Sequence, residues 1–342
     1  MKAPAFWWAE SGWRAVLYPV LLAPAAALYG GVTRRRMDRP GERPPLPVLC
    51  VGNYVVGGAG KTPTALALAD VAAGMGLSVA FLTRGYGGRL KGPVLVDDER
   101  HPAADVGDEA LLLARSAPTI VSRDRPAAYP LLGSLGVQLC IMDDGFQNPS
   151  VVKSFSLVVV DGAVGVGNGA VLPAGPLRAP LLDQMRRTDA VLLLGDGGRR
   201  SEPVVRAAAR AARPVLRASL APVEGSAFRG TRVLAFAGIG RPEKFFRTLR
   251  EAGADVVDAM PFPDHHDFTA DDARAILRRA ESRDLLPVTT EKDAVRLRHA
   301  AVGPRADLAS RTMVFGVACR FDDPNRIRQM LRDIVEDWRR TR

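Results

Sequence analysis

The 342 residues are 47% apolar and 25% charged, with aromatics at only 6% and no long low-complexity tract. This excludes a disordered or repetitive chain and leaves one large α/β domain or two smaller ones, each with its own core. A formal charge of +10 points toward nucleotide phosphate, nucleic acid or an acidic membrane surface, with a compositional bias toward arginine as the plain alternative. The three cysteines (Cys50, Cys140, Cys319) lie far apart without metal-ligand spacing, which implies a reducing, cytoplasmic setting and no structural disulfide.

The first element is apolar. After "FWWAESGWR" comes an uncharged stretch over residues 15–32, "AVLYPVLLAPAAALYGGV", and then "TRRRMDR". The basic cluster Arg34–Arg36 follows the apolar run, whereas a secretory signal carries its charge in front. The run is near the lower limit for a spanning helix, and Pro19 and Pro24 weaken it further. Trp7, Trp8 and Trp13 suit an interfacial belt and the arginines suit anionic headgroups. Residues 1–36 are therefore expected to form a membrane-associated segment, with a true span or an ordinary buried helix as the alternatives.

Past the "RPGERPPLP" linker, the apolar run "VLCVGN" reads as a strand, and a helical pattern follows over Thr62–Met75. Between them lies "GNYVVGGAGKTP". Its Gly57-Gly58-Ala59-Gly60-Lys61-Thr62 turn has the strand-loop-helix setting of a phosphate loop, although Val55 stands where G-x-x-x-x-G-K-[ST] has its first glycine. Backbone amides would converge on phosphate there, Lys61 would add a point charge and Thr62 a hydroxyl for Mg²⁺.

Strands are expected at "SVAFLT", "GPVLV", "PTIVS", "VQLCIMDD", "FSLVVVD" and "DAVLLLG". Helices are expected at "VGDEALLLARS", Arg125–Leu135 and "EPVVRAAARAARP". Unbroken branched aliphatics mark strands covered on both faces, hence a mostly parallel sheet flanked by helices. In "VGDEALLLA", Asp108 and Glu109 open a helix, where an aspartate either caps the helix or accepts a proton from an attacking hydroxyl. "LCIMDDGFQ" ends a strand in Asp143 and Asp144, a tip that holds Mg²⁺ in phosphate-loop proteins. The turns "TRGYGG" (Arg84), "VSRDR" (Arg123, Arg125) and "LPAGPLR" (Arg178) put arginines at strand ends, where ligands bind.

A boundary is expected near Arg213–Glu224, dividing a core over 46–213 from a smaller α/β lobe over 225–342. That lobe runs "TRVLAFAGIG", "PEKFFRTLREAG", "ADVVDAMPF", "TADDARAILRRAES", "LPVTTEKDAVRL", "MVFGVAC" and a closing helix, "PNRIRQMLRDIVEDWRR". Its "PFPDHHDF" loop gathers Asp264, His265, His266 and Asp267. No cysteine or second histidine cluster completes a zinc site, so polar work at an interdomain cleft is the better reading.

Taken in order, "GNYVVGGAGKTP", "TRGYGG", "VGDEA", "VSRDR", "DDGFQN", "LPAGPLR", "FPDHHDF" and "TTEKDAVRL" resemble the lipid A tetraacyldisaccharide 4'-kinase family across nearly the whole chain. The resemblance implies a phosphate-loop core with a second lobe and the active site between them. It implies ATP as donor and an acylated glucosamine disaccharide 1-phosphate as acceptor, at the cytoplasmic face of the inner membrane, with no nucleic acid and no obligate protein partner. By the same resemblance Lys61 and Thr62 hold phosphates and Mg²⁺, with Asp143 and Asp144 as the acidic partners. Asp108 is the base, tuned by His265, which Asp264 orients, and Arg123 and Arg178 stabilise phosphate. Three positions depart from the pattern: Val55, where a hydroxyl residue is common, Ala179, where an acid is expected, and Ala110, where proline is common. A GTPase switch is disfavoured because "TEKD" lacks N-K-x-D spacing, and a nucleic-acid ATPase because no basic patch is interleaved with aromatics.

Overall fold

Residues 4–9, 11–223, 225–298 and 302–341 are described in the computed structural model. Strands β1 (Val48–Gly52), β2 (Val79–Thr83), β3 (Val94–Leu95), β4 (Thr119–Val121), β5 (Leu139–Asp143), β6 (Phe155–Asp161), β7 (Ala190–Leu194) and β8 (Val215–Pro222) build one sheet. Four more form a second: β9 (Arg232–Ala237), β10 (Asp255–Pro261), β11 (Leu286–Thr290) and β12 (Met313–Phe315). The last strand, β13 (Val317–Phe321), returns to the first sheet, whose order is β13-β8-β7-β6-β1-β5-β2-β4-β3. Only the edges are antiparallel, β13 on β8 and β3 on β4. Every residue of β1, β2, β4, β5 and β7 is buried, as expected of parallel strands covered on both faces.

The helices are α1 (Trp13–Met37), α2 (Lys61–Gly74), α3 (Ala103–Val106), α4 (Asp108–Ala114), α5 (Tyr129–Ser134), α6 (Leu181–Met185), α7 (Glu202–Arg210), α8 (Pro242–Glu251), α9 (Ala270–Glu281), α10 (Glu291–Leu297), α11 (Pro304–Arg311) and α12 (Pro324–Arg340). On one face of the large sheet, Leu68 and Ala72 of α2 join Leu331 and Ile334 of α12 over Leu49, Phe81 and Ile141. On the other face, Leu132 of α5 and Ala208 of α7 pack over Val48, Cys50 and Leu82. All three cysteines are buried and free.

The boundary region differs from expectation. Within the expected boundary stretch, residues 215–222 form β8, paired to β7 of the core, and Glu224 lies outside the described residues. The smaller sheet ends at Phe315. One glycine later, Val317–Phe321 pairs with β8 of the larger sheet, and α12 seals that sheet's face. The physical cause is in α12, whose apolar side chains Ile327, Leu331, Ile334 and Val335 fall on one helical stripe and bury it against α2. Residues 317–340 therefore belong to the core, and the smaller lobe is an insertion between β8 and β13.

Helix α1 is the opposite case. Its residues Val16, Val20, Leu21, Leu28 and Val32 are exposed, and only Ala26, Gly30 and Met37 are buried. Pro19 and Pro24 lie within it without ending it. At 25 residues it is about 37 Å long, enough to cross a hydrocarbon layer of about 30 Å. No other helix among the described residues is both long and apolar enough to do so. The helix leans on the core at Gly30, where a Cβ would stand 3.4 Å from the Pro180 ring.

Candidate active site

Strand β1 delivers the phosphate loop, with its flanking strands in register beside it: Val51 pairs with Asp143 of β5, and Gly52 with Val158 of β6. Gly57 and Gly60 adopt φ of +103° and +90°, a region that side chains disfavour, and a Cβ on Gly60 would come within 2.4 Å of Leu194. Ala59 is buried behind the loop. The loop's left-hand arm explains Val55: its side chain is buried, its backbone bridges to Leu177, and its carbonyl accepts from Arg178 Nε at 3.1 Å. Asn53 Nδ2 donates to the Gly57 carbonyl at 3.2 Å, bracing the turn from within.

Lys61 and Thr62 begin α2. Thr62 Oγ1 donates to Asp143 Oδ2 at 3.1 Å, and the other oxygen of Asp143 is buried with no hydrogen-bond partner. Burial, opposed by Lys61, pushes the Asp143 carboxyl up to about 6. A buried carboxylate oxygen left open beside a hydroxyl is a donor set that fits a hard cation such as Mg²⁺, which takes few protein ligands and completes its shell with water and phosphate oxygens. Among the described residues no cluster of three or more His, Cys, Asp or Glu side chains offers an all-protein cage.

Asp144 has φ +53°, in the left-handed region, and turns its carboxylate toward cations. Lys61 Nζ lies 3.7 Å from its Oδ2, Arg178 Nη1 donates to its Oδ1 at 2.7 Å, and Arg125 donates to its main-chain carbonyl at 2.9 Å. Burial would raise this carboxyl, but Lys61 and Arg178 outweigh it and hold it well below the usual range. Arg178 is thus drawn onto the acidic tip. Arg123 is exposed and donates to the Gly88 carbonyl at 2.8 Å, so the "TRGYGG" and "VSRDR" turns touch. Ala179 is wholly buried, and an acidic side chain there would have no room facing solvent.

The second half of the site comes from α4. Gly107, at φ +87°, separates α3 from α4, and a Cβ there would stand 2.4 Å from the Tyr86 carbonyl. Asp108 does not cap its helix: no side-chain cap bond forms at this end. Instead its carboxylate, 3% exposed, is shared between Arg296, whose Nη2 donates to Oδ2, and His265, whose Nδ1 lies 3.3 Å from Oδ1. Burial would raise the Asp108 carboxyl. The His265 hydrogen bond and the charges of Arg296 and Lys292 overcome this and hold it far below the usual range. His265 in turn is raised above the ordinary imidazole value, chiefly by its bond to Asp108. It sits at φ +57°, its amide donates to the Gly238 carbonyl at 2.9 Å, and its ring lies 5.1 Å from that of Tyr86. Asp264 Oδ1 is 3.9 Å from Nε2, at the ring's outer edge. His266 faces elsewhere, toward Asp272 of the α9 capping box.

Several partners had no role in the sequence reading. Lys292 Nζ reaches Glu109 Oε1 at 2.5 Å from the smaller lobe, and its charge and that of Glu109 are felt at Asp143. On the far side of the phosphate loop, Asp161 at the tip of β6 takes Lys244 at 3.0 Å and Arg241 at 3.5 Å. Arg241 also donates to the Gly58 carbonyl at 3.2 Å and stands over the Trp8 ring. The sequence held the signals: "FSLVVVD" ends in an acid as "LCIMDD" does, and "TEKDAVR" spaces Lys292 and Arg296 one helical turn apart.

Residues 18–336 match a family model described as LpxK, tetraacyldisaccharide-1-P 4'-kinase. A tetraacyldisaccharide 4'-kinase of Methylorubrum extorquens is 51% identical over 97% of this chain and 98% of its own length. One from Methylobacterium nodulans is 55% identical over 88% of this chain and 89% of its own. The crystal structure of LpxK from Aquifex aeolicus in complex with ATP superposes with a TM-score of 0.71, covering 93% of this chain and 99% of that one, at 24% identity, and so supports the fold. With a family model spanning almost the whole chain and relatives at about half identity over it, the protein belongs to the tetraacyldisaccharide-1-P 4'-kinase family.

Proposed function

We infer that this protein transfers the γ-phosphate of ATP to the 4'-hydroxyl of a tetraacyldisaccharide 1-phosphate, the phosphorylation step of lipid A biosynthesis carried out by its family. The observation that carries the reading is a phosphate loop and a carboxylate–imidazole pair supplied by two lobes, joined through Glu109 and Lys292, whose charges act on Asp143. Phosphoryl transfer needs little covalent help from protein, so positioning and charge do most of the catalysis. In this reading the amides of Gly57 to Lys61 cradle the phosphates at the start of α2, and Lys61 places its ammonium against the terminal phosphate. Thr62 and Asp143 would hold Mg²⁺ with Asp144 close by, and the ion, when bound, neutralises charge on the phosphate oxygens. Arg178, now engaged with Asp144, and Arg123 at the rim bring guanidinium groups to phosphate. Asp108 and His265, with Asp264 at the ring's outer edge, take the proton of the acceptor hydroxyl as one unit.

A lipid acceptor accounts for α1. Its exposed apolar side chains, followed by Arg34, Arg35 and Arg36, suit a bilayer whose anionic surface lies at the basic end, and we assign this to the cytoplasmic face of the inner membrane. Between α1 and residues 169–183 a cavity of about 520 Å³, lined by Pro19, Ala23, Ala27, Val171 and Pro180, offers apolar surface beside the Arg178 turn. The test is incubation of the purified chain with Mg·ATP and detergent-dispersed acylated disaccharide 1-phosphates, scored by mass. The expected product is heavier by one phosphoryl group. Equal turnover with unacylated sugars, or none with any acceptor, overturns the reading.

A further inference from the structure

Arg296 is a buried arginine with no water-facing task. Its Nη1 donates to Asp293 Oδ1 and to the Gly238 carbonyl, both at 2.8 Å, while Nη2 donates to Asp108 Oδ2. Asp293 is fixed in turn: it accepts from the Gly238 amide at 3.0 Å and from Thr290 Oγ1 at 2.6 Å. Burying a guanidinium this way costs desolvation, and apolar packing could join the lobes without it. Indeed the adjacent Val295 does so, packing with Val106 and Leu111 of the core. The arrangement therefore calls for a reason beyond holding the lobes together.

The carboxylate supplies one. With Oδ2 committed to Arg296, Asp108 turns Oδ1 to His265 Nδ1 at 3.3 Å. Arg296 Nη2 stands 3.5 Å from the same nitrogen, but the nearer carboxylate can only accept and favours the hydrogen on Nδ1. Nε2 is left as the acceptor edge. The Gly238 carbonyl accepts from both Arg296 and the His265 amide, so a single peptide fixes the positions of both partners relative to Asp108.

We propose that Arg296 is a positioning residue for phosphoryl transfer: it orients Asp108 so that His265 presents an unprotonated Nε2 to the acceptor hydroxyl. The proposal rests on the kinase reading above. In the step it serves, the acceptor oxygen bonds to the γ-phosphorus and its proton passes to Nε2. The bond from that phosphorus to the β–γ bridging oxygen breaks, with its electron pair leaving on ADP. The groups facing this pair are Arg296, Lys292 and Asp293 from α10, Glu109 from α4, Asp264 from the histidine's own loop, and the Tyr86 ring.

The experiment is a histidine-labelled NMR titration of the full chain, alongside pH profiles of kcat/KM, for wild type, Arg296→Met and Arg296→Lys. Without the guanidinium, the Asp108 charge acts undivided on His265. In Arg296→Met the His265 midpoint and the acid limb of the profile should rise together, by roughly half to one pH unit. kcat should fall about tenfold or more, with KM for ATP within about twofold. Arg296→Lys keeps the charge without the fork, so its midpoint should stay nearer wild type while kcat still falls several-fold. If Arg296→Met does not fold, the lysine variant decides alone: wild-type kcat and an unchanged midpoint in it overturn the proposal. So does a loss of rate in either variant that is uniform across pH with the His265 midpoint unmoved in Arg296→Met. A wild type that phosphorylates no acceptor overturns the kinase reading instead, and leaves the His265 titration to report on Arg296.

Discussion

The two flanks of the phosphate loop are joined to the smaller lobe in different ways. On the β5 side, Asp108 and Glu109 meet Arg296 and Lys292 through a joint that also buries Val295 against the core. On the β6 side, the buried Asp161 is shared between two cations, Lys244 and Arg241, whose side chains are 42% and 36% exposed. Removing the partner of a buried charge strands that charge, whereas a buried charge with two partners keeps one when the other is lost. The β5 joint thus ties the lobes through a buried guanidinium and an apolar contact. The β6 joint has no single partner on which Asp161 depends.

Substitutions test that contrast, and the largest effect belongs to the β5 side. Asp108→Ala should lower kcat by about 10² to 10⁴ while KM for ATP changes by less than about threefold, measured in steady state. A collapse of ATP binding would make Asp108 a structural element of the joint.

Asp143 comes next. Its folded carboxyl lies at about 6 against an ordinary 3.8, so ionising it inside the protein is unfavourable. Stability from this group is full below the ordinary value and lost as pH rises through about 6. In metal-free protein Asp143→Asn should therefore be the more stable form above pH 6, by up to about 3 kcal/mol, and the gain should vanish near pH 4. Urea melts at the two pH values in chelator measure it. With Mg·ATP present the same variant should turn over far more slowly than wild type.

Lys292→Met leaves Glu109 unpaired at the joint and should cost about 1–3 kcal/mol, read as a lower thermal midpoint that added salt does not restore. The smallest effect is expected on the β6 side. Lys244→Met should cost under about 1 kcal/mol in a urea melt, because Arg241 still pairs with Asp161. An effect of Lys244→Met as large as that of Lys292→Met would remove the distinction between the flanks.

What was legible in the sequence follows from how the information is stored. The glycines and lysine of the phosphate loop, the acids ending "LCIMDD" and the apolar strands are contiguous signals, and their chemistry is set by neighbours a few residues away. The apolar run of α1 was equally plain, because nothing in the core needs to cover it. The helix expected over "VGDEALLLARS" starts only at Asp108, since Gly107 passes close to the Tyr86 carbonyl and breaks it from α3, a constraint that arises only from packing.

The tertiary structure alone decided where the long-range charges go. Asp108 was open to being a cap or a base, and it became a partner of Arg296 and His265, 188 residues away in the first case. Asp161 ends a strand and Lys244 and Lys292 lie on helices of the other lobe, and only folding brings them to their partners. The return of β13 and α12 to the core was likewise hidden, because an amphipathic helix states that it has an apolar face but not which sheet will bury it. Sequence fixes what each short segment can do, since backbone preference and hydrophobic period are local. Which charges end up facing each other in a low-dielectric cleft depends on distances that exist only after the chain has closed.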